Sequence, residues 1–186
     1  MLTLYVNAAF RKESRTGRIA DAYMERCSGD IEVIDLGREN PAPLNAEMLE
    51  IYNTCVKAHR FDHPMFGYAK QFAKADEIVI SAPFWNYGIP AVLHSYLEMV
   101  CTQGISFDVS PEGEYLSGCR AKKLVYITTA GGYIPEHDHA FGYVRVLAEQ
   151  FWHIPEIKYI KAEGLDIWGT DVEAEIEKAL SQFTDR

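Results

Sequence analysis

Four residues near the middle of the chain, Glu77-Ile78-Val79-Ile80, constrain the fold most: after the first, the run is continuously apolar, as in a strand buried on both faces. Comparable runs recur at residues 2–6, 31–36, 124–128 and 157–161, and the middle run extends over 78–81. Segments with helical spacing separate them. Such alternation specifies a parallel sheet covered by helices on both faces. Ile31-Glu32-Val33-Ile34-Asp35 mixes polar with apolar residues and is expected at the sheet's edge.

Between the first two runs, Ile19, Ala22 and Tyr23 share a helical face, and Gly29 is placed to end that helix in a left-handed conformation. Pro64 suits a first helical turn ahead of Met65, Ala69, Phe72 and Ala73, which share one face. Near the C-terminus, Thr170-Asp171-Val172-Glu173 reads as a capping box before Val172, Ile176, Ala179, Leu180 and Phe183. Two stretches break the pattern. Residues 37–62 read as a long connection with a short helix around 46–58. Residues 105–122 contain Asp108-Val109-Ser110-Pro111-Glu112-Gly113, a hairpin turn between short strands, placed to cover a site or meet a partner subunit.

A chain of 186 residues supports one substantial core, so 1–186 is expected to form a single domain. Its net charge of −9 argues against nucleic acid and anionic membrane as partners. The N-terminus has no basic lead, and no apolar run reaches membrane-spanning length. Cys27, Cys55, Cys101 and Cys119 show no Cys-x-x-Cys spacing, which fits free thiols in a cytoplasmic protein. His137 and His139 lack a third ligand at matching spacing, so no metal site is expected.

Against this acidic background, Arg11, Lys12, Arg15 and Arg18 place four of 18 basic residues within one short segment. Ser14 and Thr16 add hydroxyl donors, and the amides of residues 14–17 open a helix, where unpaired N–H groups and the dipole favour an anion. The plainer alternative is an N-cap at Ser14 or Thr16 with no ligand. Neither a Walker pattern nor Gly-x-Gly-x-x-Gly is present.

After the middle strand, Ala82-Pro83-Phe84-Trp85-Asn86-Tyr87-Gly88-Ile89-Pro90 crowds three aromatics into a turn held by two prolines and a glycine. Phe84, Trp85 and Tyr87 can pack on a flat ring while Asn86 and backbone amides bond its heteroatoms. If both loops leave the carboxyl edge of one parallel sheet, a phosphate at the first and a ring at the second together describe flavin mononucleotide (FMN).

Four segments in order carry a resemblance to the flavodoxin-like FMN-dependent NAD(P)H oxidoreductases, the NADH-azoreductases and quinone reductases. Residues 82–90 resemble the family's Ala-Pro-Met-Tyr-Asn-Phe segment and Gly104-Ile105-Ser106-Phe107 its Gly-Val-Thr-Phe. Thr128-Thr129-Ala130-Gly131-Gly132 resembles the loop after strand four, and Ala162-Glu163-Gly164 a motif after strand five. Trp85 stands where tyrosine is usual, Ala130 where arginine can stand, and the 37–64 connection differs in length and sequence.

The resemblance implies a three-layer α/β sandwich of flavodoxin-like topology: a five-stranded parallel sheet of order 2-1-3-4-5, with a small hairpin inserted before strand four. It implies that Ser14, Arg15 and Thr16, with Arg11 nearby, hold the FMN phosphate. Pro83, Phe84, Trp85, Asn86 and Tyr87 would line one side of the ring, and Thr129, Ala130, Gly131 and Gly132 its pyrimidine end, the glycines allowing close approach. The implied reaction is ping-pong: NADH or NADPH reduces the flavin, then a quinone, azo compound or similar small acceptor takes the electrons. Tyr133 and His137 are candidate proton donors, with loop packing and a solvated helix entry as their plainer alternatives. Relatives commonly form homodimers. A flavin reductase, a flavodoxin-type electron carrier and a regulatory module are the alternative functions.

Overall fold

The computed structural model describes residues 1–184. Along the chain run β1 (Leu2–Asn7), α1 (Arg15–Met24), β2 (Asp30–Asp35), α2 (Leu36–Glu39), α3 (Ala46–Lys57) and α4 (Gly67–Lys74). Then follow β3 (Glu77–Ser81), α5 (Ala91–Val100), β4 (Phe107–Val109), β5 (Tyr115–Ser117), β6 (Lys123–Thr129), α6 (Phe141–Gln150), β7 (Glu156–Ala162) and α7 (Val172–Ser181). The main sheet has the order β2-β1-β3-β6-β7 with every neighbouring pair parallel. Numbered among themselves these strands run 2-1-3-4-5, as the resemblance implies. β4 and β5 pair antiparallel as the hairpin ahead of β6.

Strand alternation divides the core. Leu4, Val6, Ile78, Ile80, Leu124 and Tyr126 point to one face, where Leu93, Tyr96 and Leu97 of α5 and Val144 and Leu147 of α6 cover them. Tyr5, Val79, Val125, Ile127 and Ile160 point to the other, under Ile19 and Tyr23 of α1 and Ile176 and Ala179 of α7. Every residue of β3 is buried, which accounts for its unbroken apolar run. β2 is an edge, with Ile31 and Val33 exposed.

Two local expectations change. Gly29 does not end α1: the helix stops at Met24 as Arg26 N and Cys27 N bond to the carbonyls of Tyr23 and Met24, tightening the last turn. Gly29 instead lies at φ +93°, where an added Cβ would stand 2.4 Å from the Met1 carbonyl oxygen. The cap of α7 also sits one residue later than the expected box, since Asp171 accepts from Ala174 N at 3.1 Å. Glu173, free of a capping task, takes both guanidinium nitrogens of Arg18 at 2.8 and 2.6 Å. Arg18 is thereby paired with an anion of the chain itself.

The 37–62 connection contains α3, capped by Asn45, and Pro64 opens a 3-10 turn that leads into α4. In the hairpin, Phe107 and Tyr115 pack on Phe151 at 4.4 and 4.6 Å between ring centres, seating it beside the end of α6.

Candidate functional site

Strands β1, β3 and β6 end at one edge, and short backbone bonds fix their exits to one another. Ala8 N donates to the Ser81 carbonyl at 2.8 Å, Ala82 N to that of Ile127 at 3.0 Å, and Phe84 N to that of Thr129 at 3.0 Å. A side-chain relay lies beneath. Asn7 Oδ1 accepts from Ala9 N at 2.9 Å and from Ser81 Oγ at 3.1 Å. Ser81 has one hydroxyl proton, so Tyr5, 3.0 Å away, donates to Ser81. Burial pushes the Tyr5 phenol up to about 12, against the opposing pull of Ser81, so it stays a neutral donor.

Above these exits lies a cleft of about 500 Å³, lined by Arg11, Ser14, Arg15 and Thr16 from the β1 exit, Pro83, Phe84 and Trp85 from β3, and Thr129, Ala130 and Gly131 from β6. Ten of the thirteen residues expected to bind cofactor therefore share one cavity, of a size usual for cofactor pockets. Ser14 caps α1, accepting from Gly17 N at 3.1 Å. The capping alternative and the ligand reading are thus compatible: the cap takes one first-turn amide, and those of Arg15 and Thr16 have no intrahelical acceptor. Thr16 Oγ1 meets Thr129 Oγ1 at 2.6 Å, a buried bond tying the helix start to β6.

The aromatic loop turns more tightly than its prolines and glycine indicate. Asn86 and Tyr87 have φ of +51° and +63°, and Trp85 and Gly88 exchange backbone bonds of 3.1 and 2.9 Å around them. Two positive φ values in sequence make a type I′ turn, unusual for tyrosine. The turn raises Tyr87 to 67% exposure, with its ring edge-on to Phe84 at 5.9 Å, while Phe10 meets Trp85 edge-on at 6.4 Å. Asn86 faces a neighbouring groove with His94 and His139 rather than the cleft. Tyr87 and Gly132 also fall outside the cleft lining.

The two glycines separate in their reasons. A Cβ on Gly131 would stand 2.2 Å from Asp166 Oδ2, so Gly131 admits a carboxylate from the loop after β7; Gly132 has open space. That loop is held in register, with Gly164 N, Leu165 N and Asp166 N donating to Gly132, Ala130 and Gly131. The N–H groups of Asn86, Tyr87, Gly131 and Gly132 donate to no acceptor among the described residues. These amides sit on the loops that flank the cleft, available to a ligand with acceptor atoms.

Tyr133 is 74% exposed and lies over Gly164, and His137 is exposed; neither lines the cleft. Asp138 Oδ1 accepts from Ala140 N and Phe141 N at 2.7 and 2.6 Å, bracing the chain as it enters α6. Glu163 anchors the same loop, accepting from Ile134 N at 2.8 Å and from Lys161 at 2.9 Å. Burial alone would raise its carboxyl; these two bonds outweigh burial and hold it below the ordinary range. Phe10, Asn7, Ser81 and Asp166 are site residues that no motif announced.

A family model described as flavodoxin-like fold matches residues 1–186. An FMN-dependent NADH:quinone oxidoreductase 2 of Clostridium acetobutylicum is 35% identical over 195 residues, covering 96% of each chain. An FMN-dependent NADH:quinone oxidoreductase of Coprothermobacter proteolyticus is 33% identical, covering 96% of this chain and 94% of that one. In structure, an azoreductase of Bacillus anthracis superposes with a TM-score of 0.83 at 21% identity, covering 98% of this chain and 96% of that one. An FMN-dependent NADH-azoreductase of the same species, solved with FMN, gives 0.77 at 18% identity over 98% and 96% of the two chains. These likenesses in shape bear on the fold alone. With the family model spanning every residue and the sequence relatives matching over 96% of this chain, the chain belongs to the flavodoxin-like family that includes the FMN-dependent NADH:quinone oxidoreductases.

Proposed function

We propose that the protein is an FMN-dependent oxidoreductase that takes electrons from NADH and passes them to a quinone, azo compound or similar small acceptor. One observation carries the reading: three strand exits line a single cleft together with a helix N-terminus, the Arg11 and Arg15 guanidinium groups and the aromatic residues Phe10, Phe84 and Trp85. Names of the sequence relatives support the donor and the cofactor.

The residues fit the group. Ser14, Arg15, Thr16 and the first-turn amides of α1 would hold the phosphate, with Arg11 adding charge at the entrance. Pro83, Phe84 and Trp85 would seat the ring, with Asn86 and Tyr87 at its rim and the amides of Gly131 and Gly132 near its acceptor atoms. Thr129 and Ala130 would form the floor, fixed by the Thr16 bond and by Ala130 N donating to Ala162. When bound, FMN supplies the two-electron chemistry, accepting hydride from NADH and returning reducing equivalents to the acceptor. The chain's own task is to orient the ring, exclude water from one face and supply protons. Tyr133 and His137 are proposed for that last role from the outer side of the β6 exit.

We read residues 1–186 as one flavin-binding unit acting as a homodimer in the cytoplasm. The exposed apolar hairpin side chains Val109, Tyr115 and Leu116 support the dimer, and four free cysteines support a reducing compartment. Among the described residues no helix is long and apolar enough to cross a membrane.

The test is spectroscopic. Purified protein, supplemented with FMN, should show bound-flavin absorbance that NADH bleaches without oxygen and a quinone restores. Flavin reduced by dithionite but not by NADH would make the protein an electron carrier instead.

A further inference from the structure

The loop after β7 places a carboxylate inside the cleft, and it rests against the guanidinium assigned to the phosphate. Arg15 Nη1 donates to Asp166 Oδ1 at 2.7 Å, and both residues line the cleft. Asp166 lies directly over Gly131, the position where a side chain would collide with it. Its backbone is fixed, since Asp166 N donates to Gly131 O at 2.9 Å and Leu165 N to Ala130 O at 3.1 Å. The carboxylate therefore leaves Arg15 by rotation about its own side-chain bonds, with no movement of the loop. At 70% side-chain exposure it is already hydrated, so release costs it little.

The neighbouring arginine shows the contrast. Arg18 is held by two bonds to Glu173 and does not line this cleft. Glu13 lines the cleft as well, but makes no ion pair with Arg15. Arg15 is thus the first-turn cation turned into the cleft, and its partner is an anion from the chain itself.

Resting on the FMN reading of this cleft, we infer that Asp166 competes with the cofactor phosphate for Arg15 and so sets how tightly phosphorylated flavin is held relative to riboflavin. Near neutral pH a phosphate monoester carries about −1.5 to −2 charges. Asp166 repels that charge while occupying the donor that attracts it. Rotating Asp166 outward relieves the repulsion and frees Arg15 together, so the exchange trades one ion pair for another. Riboflavin brings no phosphate and gains nothing from the exchange.

Equilibrium dialysis of the full-length protein against FMN or riboflavin, read by visible absorbance, tests this. Asp166→Asn should bind FMN about three- to five-fold more tightly than the wild type, the upper part of the span expected for one exposed charge pair, and leave riboflavin within about two-fold. Asp166→Glu should stay near wild type. In an Arg15→Gln background, Asp166→Asn should change FMN binding by less than about two-fold, because the contested donor is gone. Unchanged or weaker FMN binding by Asp166→Asn would overturn the inference, since Asp166 would then be a bystander or a support for Arg15. Equal tightening of both flavins would overturn it too, placing the effect at the ring. Wild-type protein that binds neither flavin would overturn the FMN reading and this inference with it; wild-type binding with an unresponsive Asp166→Asn overturns the inference alone.

Discussion

The two ends of the sheet treat polar groups in opposite ways. At the amino ends several charged groups are paired within the chain at short range: Tyr23 donates to the buried carboxylate of Glu77 at 2.8 Å, and Asp76 accepts from Leu2 N at 2.8 Å and Arg120 at 3.0 Å. Lys123 is pulled down by burial and pushed up further by the neighbouring Glu156, Tyr23 and Glu77. At the carboxyl ends, Tyr5, Ser81 and Asn7 brace the exits, while Arg15 lines the cleft and the amides of Gly131 and Gly132 beside it donate to no acceptor among the described residues. One end spends its polar groups on folding, and the other leaves some for a ligand. Stability and binding should therefore separate on substitution.

The largest effect belongs to the closed end. Glu77→Ala removes an acceptor from a buried phenol and should cost about 2–3 kcal/mol of stability, the usual scale for a hydrogen bond to a charged group. Flavin affinity of the folded fraction should be unchanged. Urea melts and FMN titration check the pair, and an equal loss in both would break the separation. Next comes the open end, where Trp85→Ala should weaken FMN binding about ten-fold, in line with loss of one aromatic contact, with little change in urea midpoint because Trp85 is already partly exposed.

The same division decides what could be read from residues alone. Strands are written in unbroken apolar runs, so β3 as the central strand and β2 as an edge are legible. The β1 and β3 exits are legible because their residue types are unusual for a plain turn: clustered arginines with hydroxyls, and three aromatics between prolines. Asp166 is not legible, since one acid in Gly164-Leu165-Asp166-Ile167 has no pattern until the fold lays it over Gly131. Arg18 looks like Arg15 in sequence; only α7 packing beside α1 shows that Glu173 takes one and leaves the other. Gly29 and the α7 cap were displaced for a related reason, as a partner distant in sequence, Met1 or Arg18, decided the local geometry.

Acid offers a smaller test, acting on both ends at once. Asp76 is held below its ordinary value by the Leu2 amide and then by Arg120, and Glu163 by Lys161 and Ile134 N against burial. A carboxyl depressed in the folded state stabilises above its unfolded value, and that contribution is lost as pH falls through the folded one. Stability should thus decline below about pH 4, where carboxylates ordinarily protonate. Glu163→Gln should flatten part of this decline and lower stability at pH 7 by no more than about 1 kcal/mol, as befits a partly exposed pair. Melting temperature followed between pH 7 and pH 3 reads both, and a Glu163→Gln curve parallel to wild type would remove Glu163 from the account.

The smallest effect should have opposite signs for stability and binding. Tyr87 holds φ +63° in the I′ turn, a conformation that costs a non-glycine residue about 1 kcal/mol. Tyr87→Gly relieves that cost and gives part of it back as unfolded-state entropy, leaving a gain of about 0.5 kcal/mol. The ring it removes is 67% exposed, so little core packing goes with it. FMN affinity should fall two- to three-fold as the rim of the ring site loses one aromatic edge, on the order expected for a single exposed contact. A stabilised protein with weaker flavin binding would mean that strain at this turn is retained for the ligand. If Tyr87→Gly destabilises instead, the contact of Tyr87 with Phe84 outweighs the backbone cost, and the turn belongs with the braced exits rather than with the groups kept for FMN.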